Sequence, residues 1–424
     1  MSDSPRMAGS ASDRKVFFPQ ADGSCVPYSV FSSQEVYDRE QERIHRGPYW
    51  SFVALACEIP NLNDFKSTFV GDTPVVVTRT ANGFACWVNR CAHRGAMVCR
   101  EKYGNAESHT CVYHQWSFDG RGDLVGVPFR KGLGGKGGYP ADFDTKQHGL
   151  RKLRVENYHG AVFATFDDTM PGFQDYLGAD GAVDQHLRRV LEGRELEVLG
   201  HARQYIPSNW KFYAENTKDP YHASLLHLFH MTFGLYRSSQ VGGVKITGGW
   251  HTVLFSRSGT DTEEAITETK DSQLRTYQAD SYTLADPSLL KGRKGEWGDD
   301  VTLVIMSLMP NLVIQQIQNT LAVRQIVPKG RDAFELVWTY FGYKTDDEEL
   351  RNIRLKQINL IGPAGLISME DGESSVICQQ AVVRDQNTWS CIEMGGRDVK
   401  DADHLVTETT IRAFWDEYRE LMGY

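Results

Sequence analysis

Cysteine is scarce in this chain: there are eight in 424 residues, too few for a disulfide scaffold. Long apolar runs are missing as well, since none approaches the roughly 20 residues needed to span a bilayer. The opening Met1-Ser2-Asp3-Ser4-Pro5-Arg6-Met7-Ala8 has no apolar core of the kind a secretory signal carries. A basic excess is also absent. The net charge is −9 and no long Lys/Arg run occurs, which argues against a protein that tracks nucleic-acid phosphates. These absences predict a cytoplasmic protein with no membrane segment and no nucleic-acid partner. The length exceeds one ordinary core, so two domains are expected.

What cysteine there is falls into a pattern. Only Cys91 and Cys111 have histidines at ligand spacing, while Cys25, Cys57, Cys86, Cys99, Cys378 and Cys391 read as small buried apolar side chains. Cys91-Ala92-His93 is followed, after seventeen residues, by Cys111-Val112-Tyr113-His114. Each half offers one thiolate and one imidazole, so two strand-connecting loops can close around a two-iron cluster. Replacing two thiolates by neutral imidazoles raises the reduction potential, which suits delivery of single electrons. A structural zinc site competes, but zinc favours paired C-x₂₋₄-C and H-x₃₋₅-H spacings rather than this Cys-His alternation. His109 is out of register and reads as a loop residue.

Around that pattern the chain reads as short strands. A leader and irregular chain run to about residue 32. A helix then fits Ser33 to Arg46, capped at Ser32 or Ser33 and charged on its outer face. Pro74–Arg79 and Phe84–Asn89 flank Asn82-Gly83, a hairpin signal. A second hairpin fits Asp119-Gly120, and Val155 to Phe166 gives another strand pair. The run Gly132-Leu133-Gly134-Gly135-Lys136-Gly137-Gly138 is not a phosphate loop, because no Ser/Thr follows Lys136 and no helix opens there; a mobile surface loop is expected. Farther on, the polar segment from Arg237 to Asp300 reads as loops covering a site. Val301–Met309, Leu312–Val327 and Phe334–Tyr343 read as long antiparallel strands, and Glu348–Leu360 as a helix. Ile411, Phe414, Trp415, Tyr418, Leu421 and Met422 fall at helical spacing and form one apolar face.

A second metal-type constellation lies in Glu215-Asn216-Thr217-Lys218-Asp219-Pro220-Tyr221-His222-Ala223-Ser224-Leu225-Leu226-His227. On an ideal helix, residues five apart point about 140° away from each other. His222 and His227 can share a metal only if the helix is distorted, and Pro220 supplies a cause. Two histidines and one carboxylate make a facial iron site with positions open for oxygen and substrate, so one carboxylate is still needed.

The string from Glu215 to His227 resembles the iron motif of ring-hydroxylating oxygenases, Glu/Asp-Asn-x-x-Asp-x-Tyr-His-x₄-His. Cys91-Ala92-His93-Arg94-Gly95 with Cys111-Val112-Tyr113-His114-Gln115-Trp116 resembles their Rieske box. The similarity runs from about residue 40 to the C-terminus, including Asn209-Trp210-Lys211 and Ile392-Glu393-Met394-Gly395-Gly396, and lies nearest to large subunits acting on anthranilate, salicylate, halobenzoate and terephthalate. It implies an α+β chain: a segment 1–45 packing with the catalytic domain, a small all-β Rieske domain over 46–165, and a catalytic domain over 166–424 with an antiparallel sheet flanked by helices in a helix-grip arrangement. It implies a [2Fe-2S] cluster on Cys91, His93, Cys111 and His114, and mononuclear Fe(II) on His222 and His227. The segment Gly362-Pro363-Ala364-Gly365-Leu366-Ile367-Ser368-Met369-Glu370-Asp371 resembles the one that carries the third ligand, which selects Asp371, with Glu370 the alternative. Asp219 then becomes a bridge from His114 of a neighbouring chain to His222, with Asn216 nearby.

The resemblance further implies O₂ as co-substrate and electrons from NAD(P)H through a reductase, with or without a ferredoxin. Three large subunits, usually with three small β subunits (α3β3), are implied as partners. The substrate would be a small aromatic acid. Arg324 is the candidate for its carboxylate, and Leu225, Phe229, Leu303, Ile305, Gln316 and Ile361 are candidate pocket linings. Alternatives are a monohydroxylase of the same family, a dioxygenase of a larger arylacetate such as indole-3-acetate, and a Rieske electron-transfer protein without oxygenase activity.

Overall fold

In a computed structural model the described residues are 16–178, 181–233, 235–260, 262–272, 285, 287 and 292–424. Seventeen strands are assigned among them. In the first half these are β1 (Ser51–Leu55), β2 (Asp64–Val70), β3 (Thr73–Thr80), β4 (Gly83–Val88), β5 (Tyr103–Asn105), β6 (Ser108–Thr110), β7 (Ser117–Asp119), β8 (Leu124–Gly126), β9 (Lys152–Tyr158) and β10 (Ala161–Thr165). They form a seven-stranded sheet ordered β1-β10-β9-β4-β3-β2-β5 and a three-stranded sheet β6-β7-β8. Thr80 pairs with Gly83, so the β3–β4 turn centres on Ala81-Asn82, one residue earlier than the Asn-Gly signal suggests. Gly83 opens β4 at φ +118, a conformation glycine tolerates.

The second half is built on one antiparallel sheet. Its strands are β11 (Leu196–Ile206), β12 (Gly242–Thr247), β13 (His251–Ser256), β14 (Leu303–Leu308), β15 (Leu312–Ile317), β16 (Thr320–Pro328) and β17 (Phe334–Tyr343), in the order β11-β17-β16-β15-β14-β13-β12. The stretch 312–327 is therefore two strands: Ile317 pairs with Thr320 across a turn where Gln318 has φ +54. The segment 237–300 is also more ordered than its polarity suggests, since it holds β12 and β13; residues 273–284 of it lie outside the described residues.

The helices are α1 (Gln34–Glu40), α2 (Phe173–Leu177), α3 (Ala182–Leu191), α4 (Trp210–Asn216), α5 (Ala223–Leu226), α6 (Leu228–Thr232), α7 (Glu263–Ser272), α8 (Glu348–Ile361), α9 (Leu366–Val382) and α10 (Thr409–Met422). Ser33 caps α1 by accepting from the Val36 amide at 3.3 Å. Glu40, expected on a charged outer face, is instead fully buried, where it takes Lys211 Nζ at 2.6 Å and Trp210 Nε1 at 2.9 Å. That pair ties residues 16–45 to α4. Phe18, Val30, Phe31 and Ile44 join Trp210, Trp338, Phe414, Trp415 and Tyr418 in one core, so the amphipathic face of α10 closes the sheet as its spacing predicts. Helix α9 was not visible in the periodicity, because between Ile367 and Val382 its buried face is Ser368, Asp371, Gly372, Ser375 and Gln379 rather than an apolar stripe. Cys378 and Cys391 are exposed and Cys25 and Cys57 half-buried; only Cys86 and Cys99 of the six are buried as expected. His109 is a buried strand residue wedged between Phe65 and Trp87. Among the described residues no helix is long and apolar enough to cross a membrane.

Candidate metal centres and pocket

Two loops of the first half repeat one conformation. The Cys91 amide donates to the Ala96 carbonyl at 2.7 Å and the Gly95 amide to the Cys91 carbonyl at 2.9 Å. In the second loop the Cys111 amide donates to Trp116 and the Gln115 amide to Cys111, each at 2.9 Å. The fourth residue after each cysteine has positive φ, +78 at Gly95 and +55 at Gln115. Both thiols are buried, and the two imidazole rings lie 4.6 Å apart. Trp116 stacks on His93 at 4.8 Å and fixes that ring. Burial pushes the Cys91 thiol up, with Cys111 beside it, and His93 Nδ1 is buried without a hydrogen-bond partner. Buried polar atoms normally have one, so the donor set fits a bound cluster.

The second constellation is assembled from distant parts of the chain. Helix α4 ends at Asn216, and Pro220 lies in the turn before α5. The break between the two histidines falls at His227 itself, whose ψ of 73° separates α5 from α6. Pro220 thus ends α4 rather than distorting the span between the rings. Asp371 comes from α9. Its Oδ1 lies 3.5 Å from His222 Nε2 and 3.1 Å from His227 Nε2, and it accepts from Asn216 Nδ2 at 3.0 Å. One ligand atom each from His222, His227 and Asp371 lie within 4.8 Å of one another, the donor set of a facial iron site.

The outer nitrogen of each ring meets its own carboxylate: Asp219 Oδ2 at 3.1 Å from His222 Nδ1, and Glu370 Oε2 at 2.7 Å from His227 Nδ1. The Glu370 contact is a hydrogen bond, and such a partner fixes the tautomer of His227 and aims its Nε2 at the shared centre; at His222 the contact is one of charge, since Nδ1 has no hydrogen-bond partner. Glu370 therefore faces the back of His227, not the shared centre. Burial opposes charge on His222, but Asp219 and Asp371 outweigh it and raise its pKa to about 10. Burial likewise opposes charge on His227, where Asp371 and Glu370 prevail. Burial would raise the Asp371 carboxyl, yet the two imidazoles hold it well below the ordinary range. The site is built to hold positive charge.

A pocket opens beside these groups. Strand parity explains its wall. Leu254 pairs with Ile305, Ile305 with Gln315, Leu303 with Ile317 and Arg324 with Val313, which places Leu254, Leu303, Ile305, Ile317 and Arg324 on the sheet face that lines the pocket. Gln316 has the opposite parity and binds Arg189 Nε at 3.0 Å on the far face. Leu225 is exposed, Phe229 packs on Phe233, and Ile361 is sealed among Leu360 and Ile367; none of these four lines the pocket. The sequence reasoning missed Leu254, Ile317, Tyr236 and His230. Burial keeps the His230 ring neutral by lowering its pKa to about 3.

Arg324 is buried. Its Nε and Nη2 both donate to Gln315 Oε1, Nη1 donates to Tyr213 Oη at 2.8 Å, and the guanidinium lies 4.5 Å above Trp338. Among the described residues no carboxylate pairs with it.

Cluster-type loops in one half and a two-histidine, one-carboxylate pocket in the other define an iron-dependent oxygenase. Residues 49–140 match the family model of the Rieske [2Fe-2S] domain, and residues 184–424 that of the ring hydroxylating alpha subunit (catalytic domain). The chain belongs to the ring-hydroxylating dioxygenase alpha-subunit family, and is the large subunit of a multicomponent enzyme. The anthranilate 1,2-dioxygenase large subunit of Burkholderia cepacia is 54% identical over 417 residues, 96% of each chain. Terephthalate 1,2-dioxygenase terminal oxygenase subunit alpha 2 of Comamonas sp is 47% identical over 94% of this chain and 95% of its own. Naphthalene 1,2-dioxygenase from Rhodococcus sp. shares the fold at a TM-score of 0.77, with 23% identity and 94% of each chain covered. The cofactors are accordingly a Rieske cluster and mononuclear iron, with O₂ and NAD(P)H-derived electrons through a reductase. The catalytic-domain match removes the reading as a mere electron carrier, and the Rieske match removes the zinc reading.

Proposed function

We propose that this large subunit hydroxylates a single-ring aromatic carboxylate of the anthranilate or salicylate kind. The observation that carries the reading is Arg324. Of the five N–H groups of a guanidinium, three are used within the chain, leaving one on each terminal nitrogen. A carboxylate takes that pair bidentate. A buried cation without an anion is costly, and an acidic substrate would supply the missing charge beside an apolar wall. Relatives named for anthranilate and terephthalate agree with this class.

When bound, the cluster passes on single electrons and the mononuclear iron activates O₂. The chain's own residues would do the rest. Cys91, His93, Cys111 and His114 hold the cluster; His222, His227 and Asp371 hold the iron; Asn216 steadies His222 and Asp371. Leu254, Leu303, Ile305 and Ile317 keep water from the ring while Arg324 fixes its orientation. Asp219 would bridge His222 to His114 of a neighbouring chain. In support, Asp219 and His222 also line a second, outward cavity with Glu215 and Glu408. Charge favours such a contact: residues 46–165 carry fifteen Lys/Arg against ten Asp/Glu, and the rest of the chain 31 against 45. A ring of three large subunits with three small β subunits, fed by a reductase and a ferredoxin, is the assembly we infer. The eight free cysteines suit a reducing cytoplasm.

Oxygen uptake and product analysis on a panel of aromatic acids, with reductase supplied, tests the reading. Turnover of benzoates with Arg324→Leu lower by about 100-fold, in line with loss of a buried charged contact, is the expected result. Unchanged turnover in that variant would remove the carboxylate claim.

A further inference from the structure

The pocket has a further polar side chain that the carboxylate reading leaves unused. His230, on α6 one turn beyond His227, lines the same cavity as Arg324 and is 4% exposed. Its Nε2 is buried and has no hydrogen-bond partner. The ring lies 6.2 Å from that of His227 and outside the group of three that gathers on Asp371, so it is not a fourth member of the metal set. The same lining includes the apolar Leu254, Leu303, Ile305 and Ile317. A purely packing position gains nothing from an imidazole, because its bare nitrogen destabilises a dry site. A phenyl ring would fill the same volume at lower cost. An unpartnered nitrogen on a residue that lines a substrate cavity is satisfied when a ligand brings the matching polar group.

We propose that His230 is a specificity-determining residue that hydrogen-bonds an amino or hydroxyl substituent on the ring of the carboxylate substrate. This rests on the Arg324 reading, in which that residue anchors the carboxylate in the same pocket. The preference for amino- and hydroxybenzoates over other single-ring acids is thereby assigned to a named residue. Discrimination follows the usual asymmetry: a site built to hydrogen-bond a substituent rejects the analogue lacking it, because its own buried group is then left unpaired.

The test uses the iron-loaded enzyme with its reductase and three probes: anthranilate, benzoate and 2-methylbenzoate, whose methyl group matches the amino group in size without hydrogen bonding. The readout is the ratio of kcat/KM for anthranilate to that for each analogue, with dissociation constants from calorimetry in parallel. In the native enzyme anthranilate should lead 2-methylbenzoate by about 10- to 100-fold, the cost of one buried group left unpaired. In His230→Phe both ratios should fall toward one, while His230→Gln should restore part of the preference. Arg324→Leu should weaken all three acids together and keep the ratios. Ratios unchanged in His230→Phe, or no native preference over 2-methylbenzoate, would overturn the role of His230. If instead Arg324→Leu leaves all three acids untouched, it is the carboxylate reading that fails. Should His230→Phe lose iron, the native ratio and His230→Gln decide the matter alone.

Discussion

The two metal-holding regions are made in different ways. The cluster loops are local: four ligand candidates fall between residues 91 and 114, in two turns with the same hydrogen bonds and the same left-handed fourth residue. The iron pocket is not local. His222 and His227 sit on two short helices broken at a histidine, and Asp371 arrives from a helix whose start lies 139 positions beyond His227 in the numbering, at Leu366. The first region can form as soon as its hairpins do. The second exists only when α5, α6, α9 and the large sheet are all in place. It is therefore the region whose geometry depends on packing far from the site, and each variant below is chosen to act on one region and spare the other.

The largest effects should come from the ligands themselves. Asp371→Ala should abolish hydroxylation and strip the mononuclear iron while leaving the red-brown cluster spectrum intact; iron analysis and visible absorption on one sample check both halves. Cys111→Ala should do the reverse, bleaching the cluster while His222, His227 and Asp371 still take up Fe(II). If either change removes both metals, the regions are not independent. Next in size is Asp219→Ala. It leaves every ligand in place, so both metals should remain, but steady turnover should fall by about 100-fold or more through loss of a partner to His222. Full activity in that variant would end the bridging role.

The same contrast explains what could be read from the chain alone. Cys-x-His and Cys-x-x-His are written in adjacent residues, and the turns between short strands are marked by glycine and asparagine, so the first half was legible in spacing. His222 and His227 were legible as a pair, and Pro220 as a break, though the decisive kink lies at His227. Asp371 was visible only through resemblance, because α9 buries serine, glycine and glutamine instead of a regular apolar stripe. The pocket wall was half legible. Leu303, Ile305 and Arg324 face it and Gln316 does not, a matter of strand parity that depends on where the turn at Gln318-Asn319 falls. Splitting 312–327 into two strands was the step that sequence periodicity could not supply.

A smaller effect separates the two histidine partners. Glu370 has no link to the outward cavity and is less buried than Asp371. Glu370→Gln keeps an acceptor oxygen for His227 Nδ1 but removes its charge. Iron affinity should weaken by about 10-fold, the low end for such supporting groups, with the cluster and the native substrate preference unchanged. Competition with a chelator measures it. A loss as deep as that of Asp371→Ala would mean that Glu370, not Asp371, is the metal's carboxylate.

The last effect is global and concerns acid. His186 and His251, both in the catalytic half, are fully buried, and burial lowers each to about 3. The unfolded chain binds a proton near 6.5 that these native rings refuse, so their contribution is whole above pH 6.5 and drains as pH falls toward 3. Well below 6.5 each ring should weaken folding by about 1.4 kcal/mol per pH unit. The catalytic half should therefore lose its tertiary signal in acid before the cluster absorption fades. Melts between pH 7.5 and 5.0 check the order of loss. Neither ring nitrogen of His186 has a hydrogen-bond partner, so His186→Phe gives up no hydrogen bond and keeps most of the packing. Its melting temperature should fall less steeply with acid than that of the native chain. An identical slope would mean that the acid sensitivity resides elsewhere, in the protonation of the carboxylates around His222 and His227, and would move the weak point from the core of the catalytic half to its metal site.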